Sequence, residues 1–211
     1  MPSVTVCGSS HAAVTPDRAT IDLGLTHVAT TAGAAMDRIA ELTNGLEQCL
    51  TTLGFDRRDW STQGVSLAEE WEWKNDSNTR IGFRATIAVC VAIIDLDRVG
   101  RVITAAVDQV GAQIRNLAWH VAADNEARHA LLGAAALDAK RRASAYVEAL
   151  GLQLGGVEEI SEIAPAATLS GPPELGLRAK SFAVDATMSV NAAEVDIHAS
   201  VYIRFTVLTK S

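Results

Sequence analysis

Positive charge is scarce in this chain, as are cysteine, proline and aromatic rings. Eighteen Lys and Arg stand against 25 Asp and Glu in 211 residues, a net charge of −7. The densest basic run, Lys140-Arg141-Arg142, points in three directions on a helix and is flanked by Asp138 and Glu148. An acidic chain without a basic cluster repels phosphate backbones, so no nucleic-acid partner is expected. The three cysteines, Cys7, Cys49 and Cys90, lie far apart without CxxC spacing. That pattern argues against a disulfide framework and a thiolate zinc site. The longest apolar run, Ile87 to Ile94, is far too short to span a bilayer as a helix, so no transmembrane segment is expected. Cys90, inside that run, reads as a small core residue. No Lys or Arg precedes Arg18 and no secretory h-region is evident, so a cytoplasmic location is expected as written. GxSxG, HExxH and Walker motifs are missing as well.

What is present is ordinary globular material. Hydrophobic residues make up 48% and charged residues 20%. A chain of this length buries about 70% of the surface it exposes when unfolded, and needs no disulfide or metal to fold.

Periodicity divides the chain. Val4 to His11 reads as a strand, and Pro16-Asp17 opens a second over Arg18 to Thr30, with Ile21, Leu23 and Leu25 on one face. From Thr31 to Leu53 the period becomes helical, with Thr30 or Thr31 as N-cap and Gly54 closing the helix. Asp59 to Trp73 and Arg80 to Ile94 read as a long hairpin turning through Lys74 to Asn78. A helix capped by Asp95 or Asp97 and ended by Gly111 follows, then a strand from Gln113 to Val121. The longest helix is predicted over Asp124 to Leu150, capped by Asp124. Its seam is Leu132, Ala136, Ala139, Ala143, Val147 and Leu150. Strands are expected at Val157 to Ile163 and Val195 to Val207, with Gly155-Gly156 as a turn and Pro165 to Asn191 unpatterned.

This order predicts an α+β fold. Residues 14–122 have the β-α-β-β-α-β order of a ferredoxin-like plait. Residues 1–13 with 123–211 form a second small part, in which the first and last strands join a sheet under the long helix.

Three stretches resemble the SIMPL-domain family. They are Pro16-Asp17-Arg18-Ala19-Thr20-Ile21-Asp22-Leu23; Gly82-Phe83-Arg84-Ala85 running through Ile94-Asp95-Leu96-Asp97-Arg98-Val99-Gly100; and Ala136-Leu137-Asp138-Ala139-Lys140-Arg141-Arg142-Ala143 with Leu150-Gly151-Leu152. Their order and spacing extend over nearly the whole chain. The family includes bacterial periplasmic and outer-membrane-associated immunogenic antigens. The resemblance implies a two-subdomain α+β fold and ring- or channel-like homo-oligomers. It implies no enzyme activity and no cofactor, and an exported or periplasmic location as the alternative to the cytoplasm.

Candidate chemistry is sparse. Five histidines, His11, His27, His120, His129 and His198, lack metal-ligand spacing, so no metal is expected. His11 and His198 become neighbours only if the terminal strands pair. Glu70 and Glu72 share one strand face and are a conceivable acid–base pair. Trp71 and Trp73 share the other face, with Glu69, near the tip of the hairpin. Trp is enriched at interface hot spots. Trp71, Trp73 and Phe83 are therefore the candidate interface, and no catalytic residue is assigned. The reading is a non-enzymatic, self-assembling or scaffold protein, homo-oligomeric, with a protein partner as a further option. The alternatives are a monomeric binding module for a protein or small ligand, and an unrecognised enzyme.

Overall fold

The computed structural model describes residues 2–74, 76–164 and 191–209. The alternating segments form strands and the striped segments form helices, sorted into two units. Most of the unpatterned stretch, residues 165–190, lies outside the described residues.

One unit is built from the middle of the chain. Its elements are β2 (Arg18–Ala29), α1 (Ala32–Thr52), β3 (Trp60–Lys74), β4 (Ser77–Ile93), α2 (Val99–Val110) and β5 (Gln113–His120). The antiparallel sheet runs β3-β4-β2-β5, the strand order of the expected ferredoxin-like plait. Ile21, Leu23 and Leu25 of β2 and Val89, Val91 and Ile93 of β4 point to one face. There they meet Ile39, Leu46 and Leu50 of α1 and Val99, Val102 and Ile103 of α2. Thr31 caps α1 by accepting a hydrogen bond from the Ala34 amide. At the other end Gly54 is left-handed, and Arg98 donates to the Leu53 carbonyl while its guanidinium lies 4.6 Å over the Phe55 ring. A cation there also suits the negative end of the helix dipole.

Two details of the hairpin differ from the expectation. The turn is tighter than Lys74 to Asn78, because Lys74 pairs directly with Ser77 and Asp76 takes a positive φ of 56°. Further along, Glu70 pairs with Gly82 and Trp71 with Arg80, which leaves Ile81 as an extra residue in β4. Gly82 is required beside that bulge. Its φ is 155°, and a Cβ there would sit 2.3 Å from the Ala29 carbonyl oxygen. Cys90 is also placed differently. Val89 and Val91 occupy the core face, so period 2 turns Cys90 to the opposite, half-exposed face beside Asp22. The core cysteine is Cys49, on α1.

The second unit joins the two ends of the chain. It contains β1 (Ser3–Val14), α3 (Glu126–Ala149), β6 (Leu152–Ser161) and β7 (Val195–Thr209), with sheet order β1-β7-β6. β1 and β7 pair without a break from Ser3 opposite Thr206 to Val14 opposite Val195. Gly155-Gly156 is no turn: β6 begins at Leu152 and passes through these residues as an irregularity between Leu154 and Val157. A Cβ on Gly155 would strike Thr206 Oγ1 at 2.0 Å.

The helix α3 lies on this sheet along Leu131, Ala135, Ala139, Ala143 and Val147. Its N-cap is Asn125, not Asp124, with the Asn125 side chain accepting from the Ala127 amide. The first half of the seam is one residue away from the predicted Leu132 and Ala136. Leu132 and Leu150 are exposed. The sequence Ala-Leu-Leu-Gly-Ala-Ala-Ala is apolar on several faces, so periodicity alone does not choose between them. The choice is made by close approach to β1. A Cβ on Gly8 would lie 2.1 Å from the Ala135 carbonyl oxygen and 2.5 Å from the Ala139 amide nitrogen. Asp138, beside this contact, accepts from the Ser9 amide at 3.1 Å, which satisfies a backbone donor of the edge strand β1. That bond, helped by Arg142 at 2.7 Å, holds the Asp138 carboxyl below the usual carboxylate range.

The observed seam predicts different costs for adjacent leucines. Leu131→Ala should destabilise this unit by about 2–5 kcal/mol, and Leu132→Ala by about 1 kcal/mol or less. Denaturant unfolding of both variants checks this, and the reverse ranking would contradict the packing.

Candidate functional site

The sheet of the ferredoxin-like unit ends at β3, and among the described residues no strand lies beyond it. Helix α1 packs over β2 and β4. Trp60, at the start of β3, is buried in the core, but from Val65 onward the core-side face of the strand is left largely uncovered. Exposure is 54% for Val65, 44% for Leu67, 50% for Trp71 and 71% for Trp73. These apolar side chains lie along one edge strand, on the same face as Glu69, which falls between Leu67 and Trp71 and is ion-paired with Arg80. A groove of about 260 Å³ runs beside the strand, lined by Met36, Ile39, Ala40 and Thr43 of α1 and by Val65 and Ile87 of the sheet.

The candidate interface residues divide. Trp71 and Trp73 stand in solvent, while Phe83 is half-buried and packs against the core. The Arg80 guanidinium lies 5.2 Å over the Phe83 ring and donates to Glu69 at 2.9 Å. On the opposite face, Arg84 holds Glu70 through Nε at 2.7 Å and through a second, shorter bond. That hydrogen bond holds the Glu70 carboxyl below its usual range. Glu70 is thus fixed as a carboxylate and is not poised to carry a proton alongside Glu72.

The thiols show similar restraint. Burial pushes Cys49 upward, and burial together with the neighbouring Asp22 carboxylate does the same to Cys90. Both are kept as thiols, whereas a nucleophile must be a thiolate. His120 shares a 2.9 Å hydrogen bond with Thr20 Oγ1 at the end of β5, and His129 lies in the first turns of α3. Among the described residues no three His, Cys, Asp or Glu side chains are grouped closely enough to hold a metal ion.

Sequence reasoning missed the outer, polar face of the terminal-strand sheet as a surface. Thr5, Tyr202, Arg204, Glu159 and Ser161 line a hollow of about 230 Å³ there. Arg204 bridges Glu159 at 3.2 Å and Thr5 Oγ1 at 3.3 Å. Cys7, opposite Tyr202, holds the phenol above its usual range. Further along, His11 faces His198, their ring centres 6.0 Å apart. The alternation of polar residues in each strand is visible in the sequence. The pairing that makes rows of them is not.

A family model described as "SIMPL: Protein of unknown function (DUF541)" matches residues 4–205. The 26 kDa periplasmic immunogenic proteins of Brucella melitensis biotype 1 and of Brucella abortus strain S19 are similar to this chain. Each is 28% identical over 179 residues, covering 81% of this chain and 68% of the relative. Among solved structures, a hydantoinase/carbamoylase family amidase from Burkholderia ambifaria aligns at 16% identity with a TM-score of 0.25. The alignment covers 52% of this chain and 29% of the amidase, a likeness that carries no argument.

The Arg84–Glu70 pair gives a pH prediction. The folded carboxyl is depressed, so the contribution of the pair is present above the ordinary carboxylate range. It is lost as pH falls through the depressed value. In Arg84→Ala, Glu70 should titrate closer to an ordinary carboxylate, read by carboxyl-detected NMR. An unchanged Glu70 titration would contradict the pairing.

Proposed function

Because the chain belongs to the SIMPL family, described as being of unknown function, we propose that it acts as a scaffold by associating with further copies of itself. One observation carries this reading: the uncovered apolar side chains of Val65, Leu67, Trp71 and Trp73 on the edge strand β3. An edge strand has backbone donors and acceptors on its outer side that another strand can pair with, and long apolar edges are templates for such pairing. Identical strands pair antiparallel about a two-fold axis, so one surface serves both partners. Of the acidic residues near the tip, Glu69, Glu70, Glu72 and Asp76, two are ion-paired, Glu69 by Arg80 and Glu70 by Arg84, which lowers the repulsion between two copies. Trp71 and Trp73 supply large, partly polar rings of the kind that dominate interface energetics.

The relatives are named as periplasmic proteins, and this supports an exported setting for the chain over the cytoplasmic one expected from its first residues. The groove beside β3 favours a second reading. In a monomer, its Met36, Ile39, Val65 and Ile87 lining would suit a small apolar ligand or a peptide segment.

Light scattering coupled to size exclusion separates the two. The wild-type chain at micromolar concentration should elute above monomer mass. Leu67→Lys, which places a charge on the edge, and the Trp71→Ala/Trp73→Ala double variant should shift it toward the monomer with unchanged helix content. A strictly monomeric wild type would remove the scaffold reading and leave the binding module.

A further inference from the structure

We propose that His11 and His198 form a cross-strand site for a divalent copper, nickel or zinc ion. The two residues stand directly opposite each other in the β1–β7 ladder. Both are exposed, on the face of the sheet away from α3. Their ring centres are 6.0 Å apart and the rings are tilted by 37°. Two imidazoles bound at about 2.0–2.1 Å to one tetrahedral ion have ring centres about 5 Å apart. Small side-chain rotations close that difference while the strands stay in place.

The ladder does most of the ordering. β1 and β7 pair on both sides of this row, from Ser3 to Val14, so the backbone spacing of the two ligands is set before an ion arrives. Preorganisation of this kind reduces the entropic cost of chelation. Imidazole nitrogen suits zinc, copper and nickel, whereas magnesium and calcium prefer oxygen. The rows on either side are Ser9 with Ser200 and Ala13 with Asp196. They bring one carboxylate and no cation to this stretch of the ladder, so nothing in these rows repels a divalent ion. With two protein ligands, water completes the coordination, and the site is open. The bound ion would clamp the first strand of the chain to the last. The site does not depend on self-association.

The test uses the full chain and the metal ions alone. With substoichiometric Cu²⁺, paramagnetic broadening in amide NMR spectra should remove signals around His11 and His198 first. In calorimetric titration with Zn²⁺, His11→Ala and His198→Ala should each weaken binding by about tenfold or more, while His129→Ala changes it by less than about twofold. His11→Gln and His198→Gln repeat the comparison with a polar side chain of similar length, should either alanine disturb the strand. Broadening centred elsewhere would overturn the site. So would zinc affinity unchanged in the His11 and His198 variants.

Discussion

The pairing of the first strand with the last is the constraint from which the rest of the terminal unit follows. Each strand alone is a half-buried ribbon with one apolar face. Joined in register from Ser3–Thr206 to Val14–Val195, they make a surface on which α3 can lie. The approach is close because small residues meet: Gly8 of β1 against the backbone at Ala135 and Ala139. A larger side chain at Gly8 would push the helix from the sheet. The helix has few large apolar residues, so its hold depends on this nearness more than on the area each side chain buries. The same register arranges the polar residues of the outer face into rows, including Thr5–Arg204–Glu159 and His11–His198. One ladder thus sets both the core of this unit and the chemistry of its surface.

The ferredoxin-like unit follows a different logic. Its four-stranded sheet is broader than the layer of helices over it. α1 covers β2 and β4, and β3 beyond Trp60 extends past it with apolar residues on the face that would otherwise be core. Burying a side chain such as Leu67 or Trp71 is worth about 1.5–3 kcal/mol, so a chain that leaves four in solvent forgoes stability. Contiguous exposed apolar patches mark interaction surfaces more often than they mark neutral surface. This is the physical basis for the proposal that copies associate through β3.

Much of the fold was legible from the residues. The switch from period 2 to the helical stripe at Thr31, the Thr31 cap and the left-handed glycines at Gly54 and Gly111 are local signals, and each operates where expected. The joining of the first and last strands in one sheet was also expected, and they pair along their whole length. What escaped was set by contacts between distant residues. The face of α3 depends on Gly8, more than a hundred positions away. The bulge at Ile81 depends on the passage of Ala29 behind Gly82. Cys90 looked like core because its run is apolar throughout, yet alternation sends it to the outer face. Trp71 and Trp73, singled out by sequence, are exposed. Val65 and Leu67 share their alternation, but alternation reports which face a residue is on and not whether a helix covers that face. Phe83 was grouped with the tryptophans by sequence, but lies where the helices still reach.

Native-state hydrogen exchange tests the terminal ladder most directly. If β1, β7 and α3 stand or fall together, their slowest amides share one opening free energy, and Gly8→Val lowers all three in parallel. β1 amides exchanging freely while β7 and α3 remain protected would contradict the account.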